Sequence, residues 1–581
     1  MKYYGNGVSA GIATGRIYSY SPFIPHIEVR EISPEDIPYI LHKFDTLREN
    51  ASNELSLIRS RLSAEYPEKA KIFDAHIEVL EDEELTESIY HKIQSDHLAL
   101  DYAIDKSFNE FINLLSRAED PLIRSRTVDL KDVKNRLLRI LADIPEKNLS
   151  ALPEKVIVVT HDLLPSETAT MDREHILGII TEIGGETSHS AIIARSYGIP
   201  AILGVPNAMS LLPDGETIII NANIGEIITS PSPEQIDEAD RLKNIFHQRN
   251  ERQKRFLPSP CRTKDNKIIK IGLNIGAPEK RELEMLKYSD YIGLFRTEFL
   301  YMNSDHMPTE EEQFQTYRDV LQIADGKPVT LRTLDIGGDK TLPYFNLPKE
   351  DNPFLGTRAL RLCFIHPDIF KTQLRAALRA SVYGKLKIMF PMVGSLDDFD
   401  RAMEIVRQVK QELELKQIPY SSSVQFGIMI EIPAIALLAE KAAMKADFAS
   451  IGTNDLCQYL SAADRMNQDV TTYYNASIPS ALRLIHYVAQ CFGRERKTVS
   501  VCGEMGGSII YAPLLAGLGI HELSMNTSSI AAIKERFSLF TSDELTEIGK
   551  KALSFGSTET IVSYVKTIAS NSDTKGENYY V

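Results

Sequence analysis

The segment GGETSHSAIIAR, residues 184–195, places His189 between a glycine pair and an apolar helical pattern. The glycines allow a sharp turn, and Thr187 and Ser188 are residue types that cap helices. A helix start offers free N–H groups and the positive end of the helix dipole, which together receive a phosphate well. Histidine is also a nucleophile at neutral pH, so the segment predicts a phosphohistidine. The alternative is a capping or hydrogen-bonded structural histidine.

A second set of reactive side chains stands at the C-terminal ends of strand-like runs. The set comprises Arg296, Arg332, Glu431, Asn454 with Asp455, and Cys502. The two arginines offer planar forks for bidentate binding of phosphate or carboxylate. Glu431 and Asp455 are hard oxygen ligands that suit Mg²⁺ shared with a substrate's oxygens. The alternative is that the two acids only neutralise the arginines.

Cys502 adds a thiol, which is able to donate a proton, although a strand cysteine is commonly a small buried hydrophobe. Together these groups describe an anionic, phosphate-bearing, metal-chelating small molecule held for phosphoryl transfer. In such reactions positioning and charge neutralisation carry most of the catalysis.

Eight strand-like runs separated by helical patterns position this second set. They are IIKIGLN (268–274), YIGLFR (291–296), VTLRTLD (329–335), KIMFPMV (387–393), FGIMIEI (426–432), FASIGTN (448–454), TVSVCGE (498–504) and ELSMN (522–526). Eight such units predict a (β/α)₈ barrel, whose active site lies at the C-terminal ends of the strands.

The N-terminal half has a different pattern of apolar residues. Helical spacing of apolar residues runs through 33–143 and predicts a helical bundle, which we interpret as an insertion. Short β-branched runs follow, including a predicted hairpin at 217–229, and indicate an α/β unit around His189. We expect these domains: 1–32 with 144–230 as the α/β unit, 33–143 as the insertion, 231–260 as a linker helix and 261–575 as the barrel.

Composition limits the possible partners. The 581 residues carry a formal net charge of -15, which disfavours nucleic acid and membrane surfaces and favours a basic protein partner. No apolar run has the length of a signal peptide or membrane helix, and the five cysteines lack paired short spacings, so we expect a cytoplasmic protein.

Several segments resemble a known family. GGETSHSAIIARSYGIPAILGV is similar to the phosphohistidine signature of enzyme I of the bacterial phosphotransferase system, phosphoenolpyruvate synthase and pyruvate phosphate dikinase. IGLFRTEFLYM, TLDIGGDK, MIEIPA, IGTNDLCQY and VCGEM resemble the matching phosphoenolpyruvate-binding barrel. The order of the segments, the chain length and the helical insertion resemble the enzyme I family in particular, as do HDLLPSETAT (161–170) and KIFDAHIEVLEDEEL (71–85).

The resemblance implies a mechanism. Phosphoenolpyruvate and Mg²⁺ would bind in the barrel, and Nε2 of His189 would attack the phosphorus. The implied substrate-binding residues are Arg296, Arg332, Asn454, Asp455 and Arg465, with Glu431 and Asp455 as Mg²⁺ ligands. Cys502 would protonate the enolate to pyruvate.

The resemblance also implies a partner. The phosphoryl group would pass from His189 to a histidine of HPr, the small carrier protein, in the first step of a system for sugar uptake, regulation or both. The insertion would dock HPr, and the acidic run Glu81 to Glu84 would suit a basic carrier face, although such a run is otherwise typical of a solvated helix. A moving α/β domain hinged at 232–260 and a homodimer through the barrel are implied as well.

Three departures from the family pattern stand near the predicted site: GVSAGIATG, CGEMGGS, and Cys457 with Met466. None removes a named catalytic group. Two alternatives stay open at this point. A synthase or dikinase would need a large ATP-binding domain with a Gly-rich nucleotide-binding segment. Residues 33–143 have a helical pattern throughout and contain no such segment. A non-enzymatic regulatory protein would not need the full set of reactive side chains.

Overall fold

The computed structural model describes residues 1–572 apart from 22–24, 26, 64–72, 74–75, 117–120, 145–148, 150–151, 153, 164–170, 186–187, 277–279, 303, 305, 338–341, 343, 346–349, 466, 468–469 and 471–472. The chain forms two compact units, Met1–Asn244 and Ile245–Val581.

The first unit contains one eight-stranded sheet. Its strands are β1 Lys2–Tyr4, β2 Asn6–Ser9, β3 Ile12–Tyr20, β4 Val156–Thr160, β5 Ile176–Thr181, β6 Ala201–Leu203, β7 Thr217–Asn221 and β8 Glu226–Thr229. The sheet order is β1-β8-β7-β3-β4-β5-β6-β2. The β7–β8 pair is antiparallel and confirms the predicted hairpin. The sequence analysis did not identify strands β1 to β3.

The bundle of the first unit lies between β3 and β4 in the chain. Its helices are Ile37–Ser63, Glu83–Gln94, Leu100–Ser116 and Pro121–Leu141, and residues 76–81 are helical as well. Phe44, Leu55, Ile89, Ile104 and Val133 are buried in one shared core. This apolar core explains why the helical period of the sequence persists through the region. The described part of this unit also contains the helices His189–Tyr197 and Ala208–Leu211.

The second unit is built on a closed parallel barrel. Its strands are β9 Lys270–Ile275, β10 Tyr291–Arg296, β11 Val329–Arg332, β12 Leu386–Phe390, β13 Gln425–Ile430, β14 Phe448–Ile451, β15 Val499–Val501 and β16 Glu522–Met525. Each strand pairs with the next, and β16 pairs with β9 to close the ring. All eight predicted strands are present.

Most of the strands are shorter than the apolar runs that predicted them. β11, β13 and β15 stop two or three residues before the runs end, and the remaining residues of the runs enter loops at the mouth of the barrel. The polar residues that the sequence placed at strand ends therefore lie where backbone pairing stops.

Helices follow the barrel strands and cover the outer face. They are Lys280–Met285, Glu298–Met302, Glu310–Ile323, Ala359–Ile365, Pro367–Ala380, Leu396–Leu415, Pro433–Leu437, Ala439–Lys445, Thr453–Ser461, Pro479–Arg494, Ala512–Gly517, Ile530–Phe537, Ser542–Ser554 and Thr558–Ser572. Buried residues such as Ile388 and Phe390 of β12 join these helices in one core.

The helix Pro233–Lys254 includes the boundary between the two units. Within the second unit, Glu535 holds its last turns through Arg252 Nε at 2.7 Å and Gln253 Nε2 at 2.9 Å. Among the described residues, no helix is both long enough and apolar enough to cross a membrane.

Candidate active site at the mouth of the barrel

Two arginines lie side by side at the C-terminal ends of β10 and β11. Arg296 and Arg332 are register partners in the parallel pair. Arg296 is exposed, whereas only 7% of Arg332 is accessible. The guanidinium of Arg296 is thus accessible at the mouth of the barrel, whereas that of Arg332 is buried inside it.

Two buried carboxylates hold Arg332 in place. Its Nη2 atom donates to Oε1 of Glu298 at 3.0 Å, and its Nη1 atom lies 3.0 Å from Oδ2 of Asp335. Burial lowers the pKa of Arg332, but the charges of Glu298, Asp335 and Glu431 outweigh burial and raise it. The guanidinium is therefore a fixed cation whose direction is set by the protein.

A third arginine, Arg358, shares Asp335 with Arg332. Its Nη2 atom donates to both oxygens of Asp335, at 2.9 and 3.1 Å, and lies 3.6 Å from Oδ2 of Asp455. Only 4% of Arg358 is exposed. Asp335 consequently joins two guanidiniums into one buried network.

Glu431 is the first residue after β13 and lies inside this network. Its Oε1 accepts a hydrogen bond from the Met392 N–H at 2.6 Å. Burial, followed by the charges of Asp455 and Asp335, raises the pKa of Glu431 to about 8. Gly452 permits this placement, because a Cβ there would stand 3.0 Å from Oε2 of Glu431. Burial and two neighbouring carboxylates therefore favour the protonated form of Glu431.

Asp455 completes the acidic side of the site from the helix Thr453–Ser461. Its Oδ1 is buried and accepts no hydrogen bond from the described residues, although Nη1 of Arg465 lies 3.3 Å away as an ion partner. Asn454 precedes it and is half-buried. The structure thus brings Arg465 to the same site as Asp455.

Cys502 is the first residue after β15. It is 3% exposed and packs in the barrel interior with Leu294, Met389, Met429 and Phe448. Burial raises the pKa of its thiol, with a side-chain hydrogen bond from Ser450 acting against that rise. The protonated thiol is the form that can donate a proton.

The first unit presents the predicted nucleophile at a helix start. The helix begins at His189, and Ser188 caps it by accepting from the Ala191 N–H at 3.2 Å. Gly184 has φ +110°, a conformation that favours glycine. Ser190 donates to Oδ1 of Asp162 at 3.0 Å and ties the helix start to the loop after β4.

Four features used in the sequence analysis lie outside the described residues. They are the imidazole of His189, the second capping residue Thr187, the departure Met466, and the parts of the motifs that fall at 71–72, 74–75, 164–170 and 338–340.

Comparison with known families divides the chain into three matched segments. Residues 4–126 match the family "PEP-utilising enzyme, N-terminal", residues 152–225 match "PEP-utilising enzyme, mobile domain" and residues 250–541 match "PEP-utilising enzyme, PEP-binding domain". The third segment contains the whole candidate site, and the second contains His189.

Full-length relatives specify the family further. The chain is 41% identical to the phosphoenolpyruvate-protein phosphotransferase of Listeria monocytogenes, over 97% of this chain and 98% of that protein. It is 40% identical to the protein of the same name from Bacillus sp. (strain S), over 97% of each chain, and 40% identical to that of Bacillus subtilis, over 97% and 98%. The chain belongs to the phosphoenolpyruvate-protein phosphotransferase family.

The predicted family, enzyme class and multidomain α/β fold are therefore confirmed. Relatives that share one name and match nearly the whole chain favour a phosphotransferase over the synthase or dikinase alternative. The roles of individual residues in this phosphotransferase stay predictions.

Three residues of the phosphotransferase site escaped the sequence analysis: Glu298, Asp335 and Arg358. Glu298 stands two residues after Arg296, and Asp335 three after Arg332, inside segments already identified by their arginines. Both are charged residues at, or closely after, the end of a predicted strand, and this position could have identified them as site residues. Arg358 follows the short 3₁₀ helix Pro353–Leu355 and not a strand, so its local sequence carried no comparable signal.

Proposed function

We propose that this chain transfers the phosphoryl group of phosphoenolpyruvate to Nε2 of His189 and then to a histidine of the carrier protein HPr, releasing pyruvate. The observation that carries the proposal is the cluster of guanidiniums and carboxylates at the barrel mouth, together with Cys502. The guanidiniums belong to Arg296, Arg332, Arg358 and Arg465. A trianionic substrate needs such a preorganised set of positive charges.

The proposed first step joins Nε2 of His189 to phosphorus and breaks the bond from phosphorus to the enol oxygen. Arg296 and Arg332 would hold the anionic oxygens, because their forks lie together at one edge of the mouth. Asn454 on the helix Thr453–Ser461 and Arg465, which follows that helix, would bind the substrate from the opposite side. The electron pair left on the enolate then takes the proton of the Cys502 thiol at C3, which yields pyruvate and a thiolate.

Mg²⁺ is the proposed cofactor, with Glu431 and Asp455 as its protein ligands. The fit rests on two observations: Oδ1 of Asp455 is buried and accepts no hydrogen bond from the part of the chain that the structure describes, and the pKa of Glu431 is raised to about 8 by burial beside other carboxylates. A divalent cation would bind the Asp455 oxygen and would favour the ionised form of Glu431. When bound, Mg²⁺ would neutralise charge on the substrate's oxygens.

The number of protein ligands also suits magnesium. Within the described part of the chain, no group of three or more His, Cys, Asp or Glu side chains is arranged to hold a metal. Mg²⁺ commonly takes one or two carboxylates and completes its octahedron with substrate oxygens and water. Two carboxylates at the mouth are therefore sufficient.

HPr is the proposed partner of the helical bundle. Glu81, Asp82, Glu83 and Glu84 are all exposed where the helix Glu83–Gln94 begins, so their charges are available to a basic surface. Because His189 must serve both the barrel and the carrier, we expect the α/β unit to move, with the helix Pro233–Lys254 as the hinge element.

We further propose a homodimer formed through the barrel and a cytoplasmic location, which suits five buried cysteines without disulfides. The domain boundaries given above remain proposals. The relay would serve sugar uptake, regulation or both.

Radiolabelled phosphoenolpyruvate tests the proposal. With Mg²⁺, the purified chain should acquire acid-labile label, and addition of an HPr-type carrier should move that label to the carrier. Chelation of Mg²⁺ should abolish labelling. A chain that stays unlabelled in the presence of Mg²⁺ would contradict the proposed function.

A further inference from the structure

The backbone of Cys502 lies just beyond the pairing of the barrel strands. β15 ends at Val501, one residue before the cysteine. The Cys502 N–H still donates to the carbonyl oxygen of Ile451 on β14 at 3.2 Å, and the thiol sulfur lies 3.7 Å from that same oxygen. The buried carbonyl group of the cysteine therefore needs a donor from outside the strand ladder.

A buried asparagine supplies that donor. Nδ2 of Asn274, on β9, donates to the carbonyl oxygen of Cys502 at 3.0 Å. Because β16 lies between β9 and β15 in the ring, this bond reaches across a whole strand of the barrel. Asn274 is 7% exposed, so the bond is shielded from water.

The hydroxyl of Ser524 fixes the direction of this amide. Ser524 is fully buried on β16, and its Oγ donates to Oδ1 of Asn274. A backbone carbonyl oxygen only accepts, so Nδ2 must face Cys502, and Oδ1 must then face the hydroxyl that donates to it. The chain of bonds from Ser524 through Asn274 to Cys502 thus permits one orientation of the amide.

We propose that Asn274 is a positioning residue, which holds Cys502 where its thiol can protonate the enolate at C3. The inference rests on the proposed role of Cys502 as the proton donor. Proton transfer requires the donor within hydrogen-bond reach of the accepting atom. The sulfur of a cysteine is one bond from Cβ, so its place follows the backbone that Asn274 holds. Ser524 acts one step further away, by orienting the amide.

Two rates in the first turnover of the full-length chain test this role. With Mg²⁺ and radiolabelled phosphoenolpyruvate, rapid quenching follows label on the chain, and stopped-flow coupling to lactate dehydrogenase follows pyruvate. Asn274→Leu keeps a similar volume but has no donor. It should slow pyruvate formation about tenfold or more, with wild-type labelling and a KM changed only a few-fold.

The matched control is Gln313→Leu. The buried amide of Gln313 also donates to a backbone carbonyl, that of Pro308 at 2.9 Å, and accepts from the Tyr317 hydroxyl at 3.1 Å, but it lies on the outer helix Glu310–Ile323. The control therefore loses the same kinds of bond away from the thiol. It should keep the wild-type ratio of pyruvate formation to labelling.

A gentler variant serves if Asn274→Leu fails to fold. Ser524→Ala removes one hydroxyl and leaves Nδ2 of Asn274 in place, so it should lower the same ratio several-fold. Asn274 should also act only through the thiol. In a chain that carries Cys502→Ala, Asn274→Leu should therefore cause no further loss of pyruvate formation.

An unchanged ratio in Asn274→Leu, an equal loss of both rates, or a further loss in the Cys502→Ala chain would overturn the role of Asn274. Unchanged turnover in Cys502→Ala alone would instead overturn the proposed role of the thiol, and an unlabelled wild-type chain would overturn the proposed function. These failures are distinguishable because the last two appear without any change at Asn274.

Discussion

The guanidinium of Arg332 donates to Oε1 of Glu298 at 3.0 Å, and both side chains are buried. Oε1 of Glu298 also accepts from the Asp335 N–H at 3.1 Å. Glu298→Ala would leave a buried guanidinium with one carboxylate fewer, so we expect the barrel to lose about 3–5 kcal/mol of unfolding free energy. Calorimetry of the barrel transition measures this loss.

The matched control for Glu298 is Glu311→Ala. Glu311 pairs with Arg379 at 2.7 Å, but its side chain is 55% exposed. Exposed pairs contribute about 0–1 kcal/mol, so this variant should unfold close to the unchanged chain. Equal destabilisation by the two variants would contradict a special role for the buried pair.

The raised pKa of Glu431 predicts a pH dependence of stability. Its folded value of about 8 lies above the ordinary 4.5, so between these values the folded chain holds a proton that the unfolded chain has released. Stability without Mg²⁺ should therefore fall as the pH rises through this window. Thermal unfolding from pH 5 to 9 checks the slope.

Glu431→Gln should flatten that slope and also weaken stabilisation by added Mg²⁺, because the amide neither titrates nor ligates well. In the unchanged chain, Mg²⁺ should stabilise more at pH 8 than at pH 6, since binding displaces the proton. A variant with the wild-type slope would show that another group titrates there.

The buried thiol of Cys502 should govern protonation of the enolate. Cys502→Ala should lower kcat for pyruvate release by about 10²–10⁴-fold while KM changes only a few-fold. Steady-state kinetics separate the two constants. Cys491→Ala, another buried cysteine on the helix Pro479–Arg494, should retain activity. Unchanged turnover in Cys502→Ala would return this cysteine to a packing role.

The exposed acids at the start of the helix Glu83–Gln94 should attract the carrier. Replacing Glu83 and Glu84 by lysine should lower kcat/KM for the carrier about tenfold at low ionic strength, with a smaller effect at high salt. Labelling of the chain by phosphoenolpyruvate should not change. Glu174→Lys reverses another exposed charge in the same unit and is the control. Equal effects of the two changes would indicate nonspecific attraction.

The barrel was predictable because each strand carries its own apolar signal, and because Arg296 and Arg332 follow such runs directly. Arg358 was not predictable in this way. Its contacts with Asp335 and Asp455 join segments that follow different barrel strands, and only closure of the barrel brings those segments together. The strands β1 to β3 were missed for a related reason, because they pair with segments far along the chain: β1 with β8, β2 with β6, and β3 with β4 and β7.

The most direct test of the account is the site of labelling. Radiolabelled phosphoenolpyruvate with Mg²⁺ should place acid-labile label on the unchanged chain and on His175→Ala, whose histidine is paired with Asp172 at 2.8 Å. His189→Ala should acquire none, because His189 is the proposed acceptor of the phosphoryl group. Label retained on His189→Ala would contradict the central claim.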